Sequence, residues 1–284
     1  MKAAVDRNRR PGSFLLTGSA NLLTMPGAQE NLAGRAETIP LYGFSRGELN
    51  GTDDSLGDAL LSGDESRVAN RHSTLNRNDY LALVEAGSYP EALSRPAGRR
   101  RSAWFDNYAN RILSRDARQV SALARLDRLP MLLRVLAANT SGELVKARVA
   151  ADVGLPETTL PPYLDLLESL YLIHLLPSWG RNLRRRVVGR PKAALLDSGL
   201  ACRLGGLPAE AMTIGSPDAV RAGALLETFV ASELRKQSHW AADRFGIFHY
   251  RERTGVEVDL VLVSLASMMG PPGCQVYGTT WMCW

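Results

Sequence analysis

The stretch GALLETFVASELRKQSHWAADRFGIFHYRERTGVEVDLVLV, residues 223–263, carries the clearest secondary-structure signals in the chain. Its first part has apolar residues at the 3–4 spacing of one buried helix face, namely Leu225, Leu226, Phe229, Val230 and Leu234. Glu227 stands beside that apolar stripe. The stretch therefore begins with an amphipathic helix that carries a carboxylate next to its buried face.

Two runs rich in β-branched and aromatic residues follow the helix, at 246–253 and 256–263. Thr254 and Gly255 separate them, which predicts a β-hairpin. The second run alternates, with apolar residues on one face and acids on the other: Val256, Val258 and Leu260 against Glu257 and Asp259. A helix glutamate and a strand aspartate can therefore converge on one divalent cation.

This helix–strand–strand arrangement resembles the core of the PD-(D/E)xK nuclease-like fold, in which carboxylates hold Mg²⁺ and a lysine on the next strand orients the attacking water. The resemblance implies Glu227, Glu257 and Asp259 as catalytic residues, with Glu227 and Asp259 as ligands of Mg²⁺, a cation that takes oxygen ligands. The next strand should supply an acid-x-Lys motif, but residues 260–284 contain no Asp, Glu, Lys or Arg. The expected unit is an incomplete restriction-endonuclease-like α/β domain.

A purely structural interpretation of the same acids stays open. Glu227 can cap the helix or pair with Arg221 or Arg235, and the strand acids can form the solvent face of an edge strand. A working site, a vestigial site and a structural role are therefore all compatible with the sequence.

The composition indicates an ordinary globular protein. The 284 residues are 45% hydrophobic and 22% charged, and the net charge of +5 permits a nucleic-acid partner without requiring one. Cys202, Cys274 and Cys283 form no metal-ligand spacing, which favours a reducing, cytoplasmic setting. No apolar run reaches 18 residues, so no membrane association is expected.

Residues 1–49 resemble the back half of an ATPase core from a prokaryotic AAA-superfamily family, through RRPGSFLLTGSANLL (9–23) and LAGRAETIPLYGFSRGEL (32–49). Strands are expected near 14–19 and 38–42. In that family a polar strand tip senses the γ-phosphate. The resemblance therefore implies ATP and Mg²⁺ as cofactors and these nucleotide-sensing residues: Thr17, Ser19, Asn21 and Arg35.

The phosphate-binding part of such a core does not occur in this sequence. A nucleotide site of this type needs G-x-x-x-x-G-K-[ST], and no Gly-Lys pair is present. Residues 1–49 are accordingly interpreted as a remnant of an ATPase core. We expect no ATP hydrolysis by this chain alone, and a full-length homologue is a candidate partner.

Two segments lead to the middle of the chain. Residues 50–78, rich in Gly, Ser, Asp and Asn, are expected to form a loop or linker. Residues 79–125 resemble the helical lid of the same ATPase family, through GSYPE at 87–91 and the Arg115-Asp116 pair.

Residues 126–190 have the helix and turn pattern of a winged helix. Helical pieces are predicted at 129–138, 144–153 and 158–170, a strand at 171–176, and a basic wing after it. The wing offers these candidate DNA-phosphate contacts: Arg181, Arg184, Arg185, Arg186, Arg190 and Lys192. Pro161 and Pro162 open the presumed recognition helix, so a structural brace is the alternative.

The fold class expected is α/β plus mostly α, with a nuclease-like domain at 191–263, Asp197 as a helix cap and an aberrant tail at 264–284. The functional hypothesis is a truncated member of a predicted AAA-family ATP-binding group that binds DNA through its winged helix. The alternatives are a Mg²⁺-dependent nuclease, or a non-catalytic regulatory module that pairs with a full-length relative.

Overall fold

A computed structural model describes residues 2–7, 10, 12–18, 36–53, 55–64, 66–69, 72–180, 189–212, 218–252 and 254–266. In these ranges the protein is mixed α/β and mostly helical, with two small antiparallel sheets. No helix in the same ranges is both long enough and apolar enough to cross a membrane.

The helices, in chain order, are α1 (Lys2–Arg7), α2 (Arg46–Asn50), α3 (Leu56–Leu61), α4 (Ser66–Ala69), α5 (Arg77–Ala86), α6 (Pro90–Leu93), α7 (Arg99–Arg111), α8 (Ala117–Val120), α9 (Leu129–Ala138), α10 (Lys146–Val153), α11 (Leu160–Ser169), α12 (Ser198–Gly205) and α13 (Ala219–Gln237). A π-helical turn, Ile112–Asp116, joins α7 to α8. The strands are β1 (Gly142–Glu143), β2 (Ile173–Leu176), β3 (Lys192–Leu195), β4 (Phe245–Arg251) and β5 (Glu257–Ser264).

The larger hydrophobic core runs through the middle of the chain, from α5 to the first turns of α13. Helix α9 shows why these segments fold as they do, because its four leucines recur at helical spacing and all are buried: Leu129, Leu132, Leu133 and Leu136. The helix expected at 129–138 is confirmed with those bounds. One continuous core therefore joins the expected lid to the segments that follow it.

The first sheet has the order β1-β3-β2, with antiparallel pairing throughout. Lys192 on β3 lies opposite Glu143 on β1 and opposite Leu176 on β2. The domain boundary expected between residues 190 and 191 therefore separates β3 from both strands with which it pairs. Backbone pairing makes β3 part of the preceding unit.

Strands β4 and β5 form the expected hairpin, with a register shift between Phe248 and Tyr250. Gly255 in the turn has a φ of +93°, a conformation that L side chains rarely adopt. The hairpin packs on α13 and α3 through a second apolar cluster: Leu60, Leu234, Phe245, Ile247, Leu260 and Leu262. Backbone bonds from His249 N to Pro177 O (3.1 Å) and from Trp179 N to His249 O (2.6 Å) attach β4 to the chain that leaves β2.

The N-terminal region differs from the expectation. Residues 14–18 and 38–42 form no strand, and Leu15 within the first segment is 89% exposed. A β-strand needs a neighbour with which its backbone groups pair, and no strand in the described ranges lies beside these segments. The sheet of an ATPase core is thus not formed by the described residues of 1–49.

Part of the expected linker is also ordered helix. Within 50–78, α3 packs against α13 and the hairpin. The Gly57 N–H donates to Gln237 Oε1 at 3.0 Å, and a Cβ at Gly57 would lie 2.5 Å from the Phe245 ring. Burial of Leu60 in the second apolar cluster supplies the driving force that composition alone did not reveal.

Candidate functional site

Lys192, at the first position of β3, is a buried cation with a side chain only 3% exposed. Its Nζ lies 2.9 Å from each of three carboxylate oxygens, Glu227 Oε1, Glu257 Oε1 and Asp259 Oδ1. We call these four residues the lysine–carboxylate cluster. A buried ammonium is tolerated here because three negative partners replace its hydration.

Three separate elements position the cluster. Glu227 lies on α13, beside the face that packs on the core. Glu257 and Asp259 lie two residues apart on β5, so strand alternation places them on one face of the hairpin. Lys192 reaches them from the other sheet, and the cluster therefore lies where β3, α13 and the hairpin meet.

One ammonium faces three carboxylates, and the pKa values reflect this imbalance. Burial by itself would lower the pKa of Lys192, but the carboxylates, Glu227 foremost, raise it above the ordinary value of 10.5. Burial raises the pKa of Glu227 to about 7, although the Lys192 ammonium acts in the opposite direction. Lys192 therefore stays protonated at neutral pH, whereas Glu227 titrates near it.

Arg251 and Glu143 form the outer part of the site. Arg251 lies opposite Glu257 in the hairpin, and its Nη1 is 3.5 Å from Glu257 Oε2 and 4.0 Å from Glu143 Oε2. Glu143 comes from β1, where it is the cross-strand neighbour of Lys192. The first strand of the other sheet thus adds a fourth carboxylate at this edge.

His249 lies next to the cluster on β4 and is 1% exposed. Its Nε2 is 2.9 Å from the Arg190 carbonyl oxygen, while Nδ1 has no hydrogen-bond partner in the described part of the chain. Burial lowers the pKa of His249, and Lys192 and Glu257 are near enough to influence it. A neutral imidazole with one unsatisfied nitrogen therefore borders the charged groups.

The structure brings Glu227, Glu257 and Asp259 together, as the alternation of β5 led us to expect. The expectation that Lys192 contacts DNA phosphate from a wing is wrong. Its ammonium is buried among carboxylates and does not project towards DNA. The acid-x-Lys pattern places the lysine after Asp259, whereas the lysine comes from β3, 67 residues earlier. The available signal was a lone lysine at the head of the apolar run KAALL.

Of the remaining predicted residues, the structure describes Arg190 and Thr17, and neither belongs to the cluster. The Arg190 side chain is exposed, and Arg181, Arg184, Arg185 and Arg186 lie outside the described residues. Thr17 is exposed in an irregular segment, and Ser19, Asn21 and Arg35 are outside the described residues. The described ranges form no phosphate-binding loop around Thr17, so no nucleotide site is built from them.

The cluster's donors are of the type that Mg²⁺ takes, because carboxylate oxygens are hard ligands. The position between them is held by the ammonium of Lys192, which acts as the cation of the cluster. In the described ranges, no group of three or more His, Cys, Asp or Glu side chains is arranged to enclose a metal ion. The carboxylate donors Glu227 and Asp259 are thus of a chemistry that suits a divalent cation, whereas the ammonium of Lys192 holds the position between them.

Asp197 has the structural role expected of it. Its side chain caps α12 by accepting from Leu200 N–H at 2.7 Å, and its other oxygen accepts from the backbone and hydroxyl of Ser88, at 2.7 and 2.8 Å. Gly87, at a φ of +70°, leaves room for this carboxylate, since a Cβ there would be 2.5 Å from Oδ1. Asp197 is therefore a buried tie between α5 and α12.

Comparison with known families matches residues 77–211 to a domain of unknown function, DUF8612, and residues 222–269 to a second, DUF4143. DUF4143 domains are often found in AAA-ATPase-associated proteins. Lys192 and Glu143 belong to the first matched region, and the other cluster residues and Arg251 to the second. The cluster is thus assembled across the two matched regions.

Uncharacterized proteins of Mycobacterium bovis and Mycobacterium tuberculosis are each 27% identical to this chain over 235 residues. The match covers 82% of this chain and 46% of each relative, so the chain spans about half the length of these relatives. No solved structure gives a significant match. The chain is therefore similar to two domain families and to mycobacterial proteins that have no assigned function.

Proposed function

We propose that the lysine–carboxylate cluster is the centre of a nuclease-like site that cleaves phosphodiesters with the help of a divalent cation, in a protein associated with an AAA-type ATPase. The convergence of Glu227, Glu257 and Asp259 on one point carries this proposal. These carboxylates come from a helix and a hairpin, and this order resembles that of the nuclease-like core. The match to a domain often found in AAA-ATPase-associated proteins supports the wider context.

The chain's own residues divide the work. Glu227 and Asp259 would hold Mg²⁺, and a bound cation supplies Lewis-acid stabilisation of charge on the phosphate. Lys192 holds the three carboxylates together, because their mutual repulsion would otherwise separate them. Glu257 lies at the more exposed edge, where it also contacts Arg251.

Cleavage by the complete chain tests the proposal. Plasmid DNA and a labelled RNA would be incubated with Mg²⁺ or Mn²⁺, using wild type, Asp259→Ala and the control Asp165→Ala, which removes an exposed acid on α11. We expect Asp259→Ala to slow cleavage at least about a hundredfold, with Asp165→Ala unchanged. Equal rates for wild type and Asp259→Ala, or undiminished cleavage in EDTA, would refute a cation-assisted site.

A second candidate function, DNA binding through a winged helix, is favoured by the order of the elements. Along the chain the elements follow the order α9-β1-α10-α11-β2-β3, and the strands pair in the order β1-β3-β2. Both orders are those of a winged helix. Exposed Arg190 lies at the foot of β3, where a wing would contact phosphate. This function predicts duplex binding that weakens steeply with salt and a shallower salt slope for Arg190→Ala; a salt-independent signal would contradict it.

A link to ATP is implied only by the resemblance of residues 1–49 to an ATPase core. This chain alone hydrolyses no ATP in the function proposed here, and a full-length homologue would supply the ATPase beside which it acts. Calorimetry with ATP and Mg²⁺ tests this point. Heat that saturates at micromolar ATP would contradict it and would direct attention to Thr17, Ser19, Asn21 and Arg35.

A further inference from the structure

The two cations of the site differ in their access to solvent. The Lys192 side chain is 3% exposed and is enclosed by three carboxylates. The Arg251 side chain is 47% exposed, at the end of β4. A substrate phosphate that approaches the cluster from solvent therefore meets the guanidinium of Arg251 and cannot reach the ammonium of Lys192.

The contacts of Arg251 leave most of its hydrogen-bonding capacity available. Both of its ion pairs use Nη1, at 3.5 Å to Glu257 and 4.0 Å to Glu143, and these lengths exceed that of a charge-assisted hydrogen bond. A guanidinium carries five N–H donors in a planar fork that matches the oxygens of a phosphate. The two carboxylates therefore orient Arg251 and leave most of its N–H donors available to a ligand.

The charge of the site explains why an anion needs this residue. Four carboxylates and two cations meet here, which leaves two negative charges in excess when all are ionised: Glu143, Glu227, Glu257 and Asp259 with Lys192 and Arg251. Such a site repels phosphate except where a positive group faces solvent. Arg251 is the exposed positive group in the described part of the cluster.

A second observation supports a ligand at this place. His249, nine-tenths or more buried, leaves Nδ1 without a partner among the described residues, and Glu143, Lys192 and Glu257 all lie near enough to act on its ring. Buried polar atoms are nearly always satisfied in folded proteins, so an unsatisfied nitrogen near Glu143 and Glu257 indicates a place where another polar group enters.

We propose that Arg251 binds the phosphodiester of a nucleic-acid substrate at this site, whereas Lys192 is the internal counter-ion of the carboxylates. The inference rests on the proposed nuclease-like function and adds the residue that contacts substrate. It reverses the usual expectation that a lysine of such a site faces the phosphate, because burial excludes Lys192 from that role.

Binding, measured separately from cleavage, tests the inference. Fluorescence anisotropy of labelled single-stranded DNA, duplex DNA and RNA would be recorded with Ca²⁺, which also takes oxygen ligands, and gels would check that the probe stays intact. We expect Arg251→Ala to weaken binding of the preferred probe at least about tenfold, and Arg251→Lys to retain part of it. The control is Arg99→Ala, an exposed arginine at the start of α7.

Stability measurements distinguish substrate binding from a structural ion pair. The Arg251 pairs are long and partly exposed, so Arg251→Ala should shift Tm by no more than about 2 °C. A tenfold loss of binding with an unchanged Tm supports the inference. Unchanged binding in Arg251→Ala, or a loss equalled by Arg99→Ala, overturns it.

The outcomes also separate this inference from the proposed function. Wild type that cleaves with Mg²⁺, together with an Arg251→Ala variant that binds and cleaves normally, overturns the role of Arg251 alone. Wild type that binds through Arg251 but never cleaves overturns the nuclease and leaves the phosphate contact. Wild type that neither binds nor cleaves any of the three probes overturns both.

Discussion

Lys192 and Asp259 are 67 residues apart in the chain, yet the Lys192 ammonium donates to Asp259 Oδ1 at 2.9 Å. The bond joins β3 of the three-stranded sheet to β5 of the hairpin, two elements that share no backbone pairing. The same ammonium binds Glu227 on α13. One side chain therefore connects three elements, and its removal should affect more than one contact.

Substitution of Lys192 by methionine should destabilise the fold. The variant keeps the length of the side chain but leaves three carboxylates without their cation, and loss of one partner of a buried ion pair costs about 3–5 kcal/mol. Because these carboxylates are partly exposed, we expect the free energy of unfolding, measured with urea, to fall by about 3 kcal/mol. Lys146→Met, on α10, is the control and should cost under about 0.5 kcal/mol; equal losses would exclude the cluster as a stabilising contact.

Mg²⁺ should rescue Lys192→Met more than it stabilises wild type. With the ammonium removed, the carboxylates repel one another and bind a divalent cation more tightly, and binding to the folded state raises Tm. The measurement is Tm with EDTA and with several millimolar Mg²⁺ for both proteins. A smaller Mg²⁺ effect in the variant than in wild type would mean that Lys192 is required for the cation to bind.

The Glu227→Gln substitution should remove a pH dependence of stability. The folded pKa of Glu227 is about 7, above its ordinary 4.5, so the folded state binds the extra proton in this interval and loses stability as pH rises from about 4.5 to 7. The full effect is about 3 kcal/mol. In EDTA, the Tm difference between Glu227→Gln and wild type should become more favourable to the variant from pH 5 to pH 8; a constant difference would contradict the raised pKa.

The His174→Phe substitution should reduce sensitivity to acid. His174 on β2 is buried, and burial lowers its pKa from 6.5 to about 3, so the folded state resists a proton that the unfolded chain accepts. Stability contributed by the neutral ring is lost as pH falls from 6.5 towards 3, by up to about 4–5 kcal/mol. Urea unfolding at pH 7 and pH 4.5 should show a smaller loss in the variant. The control is His72→Phe, at an exposed position, and this variant should lose as much stability between pH 7 and pH 4.5 as wild type does.

The Asp197→Ala substitution should cost about 2–4 kcal/mol, because it leaves the N–H groups of Ser88 and Leu200 unsatisfied in the core. Asp197→Asn keeps one acceptor and should cost less. Asp218→Ala is a matched control, since Asp218 precedes α13 without a side-chain cap bond. Urea unfolding that ranks Asp218→Ala as the most destabilising of the three would contradict the role assigned to Asp197.

Local periodicity was sufficient for much of the secondary structure. The apolar spacing of α9 and of α13, the alternation in β5 and the turn at Thr254-Gly255 each depend on neighbours within a few residues. The same alternation placed Glu257 and Asp259 on one face. By contrast, residues 14–18 have the composition of a buried strand but lie exposed, because a strand also needs a partner that local sequence does not specify.

By itself, the sequence determined which residues of α13 and β5 face the same way, since a helix and a strand have their own fixed periods. It also determined that Glu227, Glu257 and Asp259 supply carboxylate oxygens, which suit a cation. Only the tertiary structure decided which cation meets them, because packing of β3 against the hairpin brings Lys192 from 35 and 67 residues away. Contact between distant elements depends on the packing of whole surfaces, so the apolar run KAALL that Lys192 begins indicates a buried strand but not which carboxylates meet its lysine.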